Sequence, residues 1–329
     1  MKTLVIGDPS GSHCAQLIEK KNINPEDIVV WEDSETHKFR IQRVDGRITI
    51  TDKLETLKNM KFTRIIGNPP YQANTKSSGN TLWDKFVVQC LELLEDGGTL
   101  SFITPPRWRQ PEDSLQYIYK KYQLVSLEIH SAKDGKATFN ANTPYDVYTI
   151  KKVAPTEPTQ ITFDDGTVDC IDVTQLPFIP NSNWQFWSEC FATNSKKIEC
   201  LWGYSHDSRL RHMSKTQSAV NCYPITHNFT DDGLTFMYSS KQHEYQNHPK
   251  VLIRDQGNPK PVYDCGQYGC GRHTIFIPVE NESEANQIID FLNSPEFISI
   301  RSSATFSQRQ FGPKPFNYIP LSYIKNVTK

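Results

Sequence analysis

Residues 65–71 read I-I-G-N-P-P-Y. Two apolar β-branched residues run into Gly67, then polar Asn68, Pro69, Pro70 and aromatic Tyr71. Proline has no backbone N–H and fixes its own φ, so a strand ladder cannot continue through the pair. The stretch reads as the end of a buried strand, with an amide and a ring held on stiff backbone just beyond it.

The same kind of ending recurs on either side. Thr3–Gly7 is a short apolar strand that runs into Asp8-Pro9. Asp27–Trp31 ends in Glu32 and Asp33, and Arg47–Thr51 ends in Asp52. Thr99–Thr104 is halted by Pro105-Pro106, and Leu124–His130 and Tyr145–Lys151 read as further strands. Ala15–Lys21 and Ser114–Tyr122 read as helices. The clearest helix is set by Leu82, Trp83, Phe86, Val87, Cys90, Leu91 and Leu94 at helical spacing, with Asp96-Gly97-Gly98 expected to stop it. Strands alternating with helices predict an α/β fold, a parallel sheet covered on both faces. In such sheets ligands collect beyond the carboxyl ends of the strands. Asp8, Glu32, Asp52, Asn68 and Thr104 all fall at those ends.

The chain has 329 residues and a formal charge of -1. That balance argues against a non-specific polyanion binder and confines any nucleic-acid face to a patch. No stretch approaches the roughly 18 apolar residues of a membrane span. M-K-T-L-V-I-G-D-P holds too short an apolar run for a secretory signal. The eight scattered cysteines then suit reduced thiols in a cytoplasm. Cys265, Cys270 and His273 lack a close cysteine pair and a fourth ligand, so no metal is expected.

The texture changes at Val153–Pro158, rich in Pro and Thr, which sets expected domains of residues 1–152 and 153–329. The second part reads as mixed α+β, with short strands. Its basic stretches are Arg209, Arg211, His212 and Lys215, and Arg301, Arg309 and Lys314 amid Phe306, Gln308, Gln310 and Phe311. Arg, Gln and Asn are side chains that read base edges, although charged loops are also ordinary solvated surface. Arg107, in P-P-R-W, is a further basic candidate. The polar loop 72–80 reads equally as surface or as a flap that orders on a ligand.

The chemistry that suits Asn68–Tyr71 is methylation of a planar amino group. The lone pair of such a nitrogen is delocalised, so it is a poor nucleophile. Two acceptors aimed at its N–H bonds favour a more tetrahedral nitrogen: the Asn68 side-chain oxygen and the carbonyl of Pro69. Tyr71 offers a flat face to a base, worth about 1–3 kcal/mol in comparable stacking.

The motif, together with L-W-D-K-F-V-V-Q-C-L-E-L-L-E-D-G-G-T-L-S-F-I-T-P-P-R-W over 82–108, resembles the adenine-specific N6 DNA methyltransferases of restriction–modification systems. The resemblance covers Leu4 to Lys152 and is most specific from Ile65 to Trp108. It implies a Rossmann-like S-adenosylmethionine methyltransferase sheet followed by a target-recognition domain, S-adenosylmethionine as cofactor, and double-stranded DNA as partner with the adenine flipped out. It allows a separate restriction endonuclease as a second partner. By the same resemblance Asn68, Pro69, Pro70 and Tyr71 are catalytic, Asp8, Pro9, Gly11 and Ser12 form the cofactor loop, Glu32 meets the ribose and Asp52 the cofactor's adenine. The family loop usually reads Asp-Pro-small-small-Gly-Ser-Gly; here it is one residue shorter, and His13 stands where the last glycine would be. Two alternatives stay open: the same chemistry on RNA or a protein glutamine, or a catalytically silent DNA-binding relative.

Overall fold

The computed structural model describes residues 1–71, 81–230, 233–257, 260–307 and 312–327. The chain divides into two units, Met1–Ile179 and Pro180–Lys329. The first contains β1 (Thr3–Ile6), α1 (Ser12–Lys21), β2 (Ile28–Trp31), α2 (Glu35–Val44), β3 (Thr49–Thr51), β4 (Phe62–Gly67), α3 (Trp83–Leu93), β5 (Leu94–Thr104), α4 (Tyr117–Lys121), β6 (Gln123–His130), α5 (Ala132–Phe139), β7 (Tyr145–Lys151), β8 (Thr159–Thr162) and β9 (Val168–Ile171).

Its strands form one sheet in the order β3-β2-β1-β4-β5-β7-β6-β8-β9. From β3 through β5 every pairing is parallel, whereas β7 runs antiparallel to both β5 and β6. The fold is therefore α/β with a mainly parallel sheet. Val5, Ile28 and Val30 pack against Cys14 and Leu17 of α1 and Ile41 of α2. Leu4, Ile6 and Val29 alternate with them and are buried as well, so this part of the sheet is covered on both faces. Burial on both faces explains why β1 and β2 read as continuous apolar runs.

Two expectations are corrected here. The helix of Trp83 does not run to the glycines: Leu94 is already extended and pairs with Phe62. Gly97, with φ of 80°, instead sits in an irregular stretch of β5 where the register shifts, and its N–H donates to the Lys152 carbonyl. Nor does the first unit end at Lys152. β8 pairs parallel with β6, extending the sheet. The Pro-rich segment before it is pinned by Gln123, whose amide oxygen accepts from the N–H groups of Thr156 and Glu157 at 2.8 and 3.0 Å. Its amide nitrogen donates to the carbonyl of Glu157 at 2.9 Å. What reads as a linker is a crossover held by one buried side chain.

The last residues of this unit are fastened by Arg109, which is fully buried. Its guanidinium makes two bonds to Asp146 on β7, at 2.7 and 2.9 Å, and a third to the carbonyl of Ile179 at 2.7 Å. Removing one member of a buried pair leaves the other charge without compensation, which costs about 3–5 kcal/mol. Arg109→Ala should therefore lower unfolding free energy by that order in urea denaturation, with Asp146→Ala similar and the double variant far from additive.

The second unit contains α6 (Trp184–Ala192), β10 (Leu201–Trp202), β11 (Met213–Ser214), β12 (Tyr223–Thr230), β13 (Gly233–Ser239), β14 (Lys250–Arg254), β15 (Val262–Asp264), β16 (Gly269–Cys270), β17 (Thr274–Pro278), α7 (Glu282–Asn293), α8 (Pro295–Ser303) and α9 (Leu321–Val327). Two four-stranded sheets, β10-β17-β14-β15 and β11-β13-β12-β16, make it the mixed α+β structure expected from its texture. Lys250, fully buried, meets Asp264 across the β14–β15 pair at 2.6 Å and donates to the carbonyls of Tyr245 and His248.

Buried His243 lies near His206 and the ring of Phe276. Burial, then the neighbouring His206 and Lys250, push its pKa down to about 4. The unfolded chain binds the proton at a higher pH, so this contribution to stability is complete above about pH 6.5 and lost as pH falls toward 4. Urea unfolding should show a loss of the order of 3 kcal/mol across that window. His243→Phe should flatten the dependence.

Candidate functional site

β1 and β4 pair in parallel with Ile6 opposite Gly67. At Gly67 φ is 152°, and a Cβ there would lie 2.2 Å from the Ile6 carbonyl oxygen. No side chain fits, and the close approach lets the Asn68 N–H donate to that same carbonyl at 3.1 Å. Gly7 follows with φ of 71°, its Cβ position 3.4 Å from the Asn68 carbonyl oxygen. Two glycines thus bring the ends of the two strands together and set the first residue of the Asn-Pro-Pro-Tyr segment against the turn that carries Asp8.

Asn68 is exposed, and its side chain makes no hydrogen bond to another described residue. No described donor takes the Pro69 carbonyl either. Pro69 is buried and Pro70 half-buried, so the segment is anchored while Asn68 is open to solvent. Tyr71 is half-buried, with its carbonyl accepting from the N–H of Leu82. Its hydroxyl is buried without a partner among the described residues. Burial, then the charges of Asp146 and Tyr145, hold the phenol well above its ordinary pKa, so it stays neutral. No aromatic ring among the described residues stacks on Tyr71, and its ring is partly open.

On β1's side, Asp8 is fully buried and points back into its own loop. Its carboxylate accepts from the N–H of Cys14 at 2.9 Å, from the N–H of His13 at 3.2 Å and from the His13 ring at 3.3 Å. The cap of α1 is Gly11, which has no side chain to offer, so Asp8 satisfies these first helical N–H groups instead. Burial works to raise the Asp8 pKa, but the bonds from His13 and Cys14 outweigh it and hold the carboxyl below its ordinary range. The Asp8 bond raises His13 in turn. Gly11 has φ of 77°, and a Cβ would meet Val44 at 2.8 Å. Pro9 is exposed, its carbonyl accepting from Arg40, and Ser12 is exposed beside Ser10.

Glu32 is buried at the end of β2, whereas Asp33 is exposed. The Glu32 carboxylate accepts from the N–H of Asp8 at 3.3 Å, the N–H of Ser34 at 3.1 Å and the ring of His37 at 3.2 Å. Asp52 is half-exposed beyond β3, with Lys38 at 3.5 Å. Both buried acids thus have a histidine five residues later, in D-P-S-G-S-H and E-D-S-E-T-H. That spacing was visible in the sequence and is the signal by which His13 and His37 could have been found.

The basic residues fare unequally. Arg107 sits between Asp84 and Asp113, each at 3.4 Å. Arg209 makes two bonds to Asp207, which also takes Arg272. Arg211 is exposed, with no ion pair among the described residues, and Lys314 is exposed. Arg309 and the loop 72–80 lie outside the described residues. His273 is engaged by Asp255, and among the described residues no group of three or more His, Cys, Asp or Glu is arranged to hold a metal. No described helix is long and apolar enough to cross a membrane.

The α/β fold with its mainly parallel sheet is similar to that of solved restriction–modification enzymes. The type IIL restriction-modification enzyme MmeI, solved with DNA, superposes with a TM-score of 0.51 at 10% identity, over 96% of this chain and 62% of that one. The type IIG restriction endonuclease BpuSI is similar over 99% of this chain and 57% of that one, at 11% identity and a TM-score of 0.42. A type I methyltransferase subunit from Streptococcus thermophilus matches over 52% and 44%, at 14% and 0.38. The chain spans less than two thirds of each. Residues 10–133 match the family described as Eco57I restriction-modification methylase. Comparison with curated proteins finds no match.

The tight β1–β4 contact has a direct test. Gly67→Ala should cost more than about 1 kcal/mol in stability, because φ there is positive and the Ile6 carbonyl must move. Gly97→Ala has positive φ but open space around it, and should cost less. Thermal melting of the two variants checks the ranking.

Proposed function

We propose that the chain is an S-adenosylmethionine-dependent DNA methyltransferase that modifies N6 of an adenine turned out of the duplex. The observation that carries this is the exposed Asn68 amide beside the Pro69 carbonyl, both without a described partner, on an anchored segment held against the Asp8 turn. The family match over residues 10–133 lends support, since it spans that segment.

The residues fit the cofactor. An ionised carboxylate offers about four acceptor positions, and Glu32 has three filled, one of them by the half-buried His37, which can give way to a ribose hydroxyl. Asp52 is open enough to accept from an exocyclic amine. The turn through Gly7 and Gly11 lets backbone approach a ligand closely. When bound, the cofactor supplies an activated methyl group.

The chain's own work is positioning. Asn68 Oδ1 and the Pro69 carbonyl accept from the two N–H bonds of the target amine and hold it in line. The half-open ring of Tyr71 supports the base, and its phenol stays neutral, so no proton is exchanged there. The backbone that carries both acceptors is fixed before substrate arrives, so only the exposed Asn68 amide has to turn onto the target amine.

Incubation with methyl-labelled S-adenosylmethionine and duplex DNA of mixed sequence should place label on adenine. Asn68→Ala should lower the rate by roughly 100-fold or more, while calorimetric binding of the cofactor is unchanged. Label in RNA or protein, with none in DNA, would overturn the assignment.

A further inference from the structure

The second unit carries a polar cavity of about 290 Å³ lined by His227, Asn228, Arg254, Asp255, Gln256 and His273. None of these was singled out as a base reader from the sequence. Four features of its construction bear on what it takes.

The first is a bulge. Thr226 pairs with Phe236 and Asn228 pairs with Thr235, which leaves His227 as an extra residue in β12. A regular strand sends successive side chains to opposite faces, and a bulge re-aims them. Here both His227 and Asn228 are exposed, while Thr226 and Phe229 on either side are buried.

Second, the Asn228 amide oxygen accepts from the N–H of Phe229 at 2.9 Å. The bond orients the amide and leaves its NH₂ as a donor. Third, Arg254 ends β14 without an ion pair among the described residues. Arg107, Arg109, Arg209 and Arg272 all have carboxylate partners. Asp255, adjacent to Arg254, is buried and turned to the His273 Nδ1 at 3.1 Å.

The fourth feature follows from that contact. An ionised carboxylate only accepts, so the Asp255 contact takes the proton-bearing Nδ1 of His273 and, in the uncharged form of the ring, leaves Nε2 as an acceptor. The cavity therefore offers a planar five-donor fork and an imidazole acceptor side by side. Guanine presents two acceptors in the major groove, N7 and O6, and its paired cytosine presents the N4 donor.

We infer that this cavity reads a G·C base pair of the target, with Arg254 on guanine, His273 Nε2 on cytosine and the Asn228 amide on a neighbouring acceptor. The inference rests on the proposed DNA methyltransferase function and names residues that would choose its site. Asp255 is a positioning residue, because it acts by fixing the tautomer of His273.

The test uses the full chain, expressed in cells whose DNA is then sequenced with detection of N6-methyladenine. The wild type should give one recognition sequence. Arg254→Ala should relax one G·C position, with discrimination there falling roughly 10- to 100-fold. Arg254→Lys keeps the charge and loses the fork; it should relax the same position while binding non-cognate duplex as before in fluorescence anisotropy. Asp255→Asn should weaken the preference at that position without altering the others. Circular dichroism melts establish that the variants fold. A defined wild-type sequence that all three variants retain unchanged would overturn this inference alone, as would an Arg254→Ala variant that keeps its discrimination while binding every duplex more weakly, since that outcome marks a phosphate contact. A wild type that modifies no adenine and binds no duplex would overturn the proposed function as well.

Discussion

The site depends on how closely β1 and β4 approach at their carboxyl ends. The Ile6 carbonyl occupies the place where any side chain at position 67 would stand, so the position excludes everything larger than hydrogen. Because the strands touch there, the Asn68 N–H reaches the same carbonyl, and the polar segment starts from a fixed point. Pro69 and Pro70 then carry that placement forward with little freedom. Widening the contact by even an ångström would move Asn68 relative to the Asp8 turn, and the two halves of the site would lose register together.

The acids around this point divide by environment. Asp8 and Glu32 are buried, and their oxygens are occupied by backbone N–H groups and histidines. Asp52 is half-exposed and weakly paired. Burial would be costly for the first two without those donors, so the loop's own backbone is what makes the carboxylates tolerable inside the fold. The short loop and His13 are consistent with each other, because the histidine places a donor on Asp8.

Much of the first unit was legible because its strands are apolar runs cut off by acids or prolines, as at Ile6, Trp31 and Thr104. α2 escaped notice because Ile41 is its only buried residue while Phe39 is exposed, which blurs the periodicity. The limit of the unit was hidden for a different reason: Gln123 holds 153–158 by hydrogen bonds, which leave no apolar signal. Asn68 and Tyr71 could be read from local sequence because prolines flag a rigid segment. The cavity of Arg254 could not, since it depends on a bulge at His227 that no glycine marks, and on strands β12, β14 and β17 meeting far apart in sequence.

Arg109 has a further consequence, which concerns time. Its guanidinium closes on Asp146 and on the carbonyl of Ile179 together. During synthesis the chain emerges from its N-terminus, and domains form as units. The strands that hold Asn68 are complete by Thr104, yet the charge buried beyond them has its full set of partners only once residue 179 is free. The order in which the chain is made therefore completes the strands that carry Asn68 early and leaves the Arg109 charge, near the same carboxyl edge of the sheet, to find its last partner late.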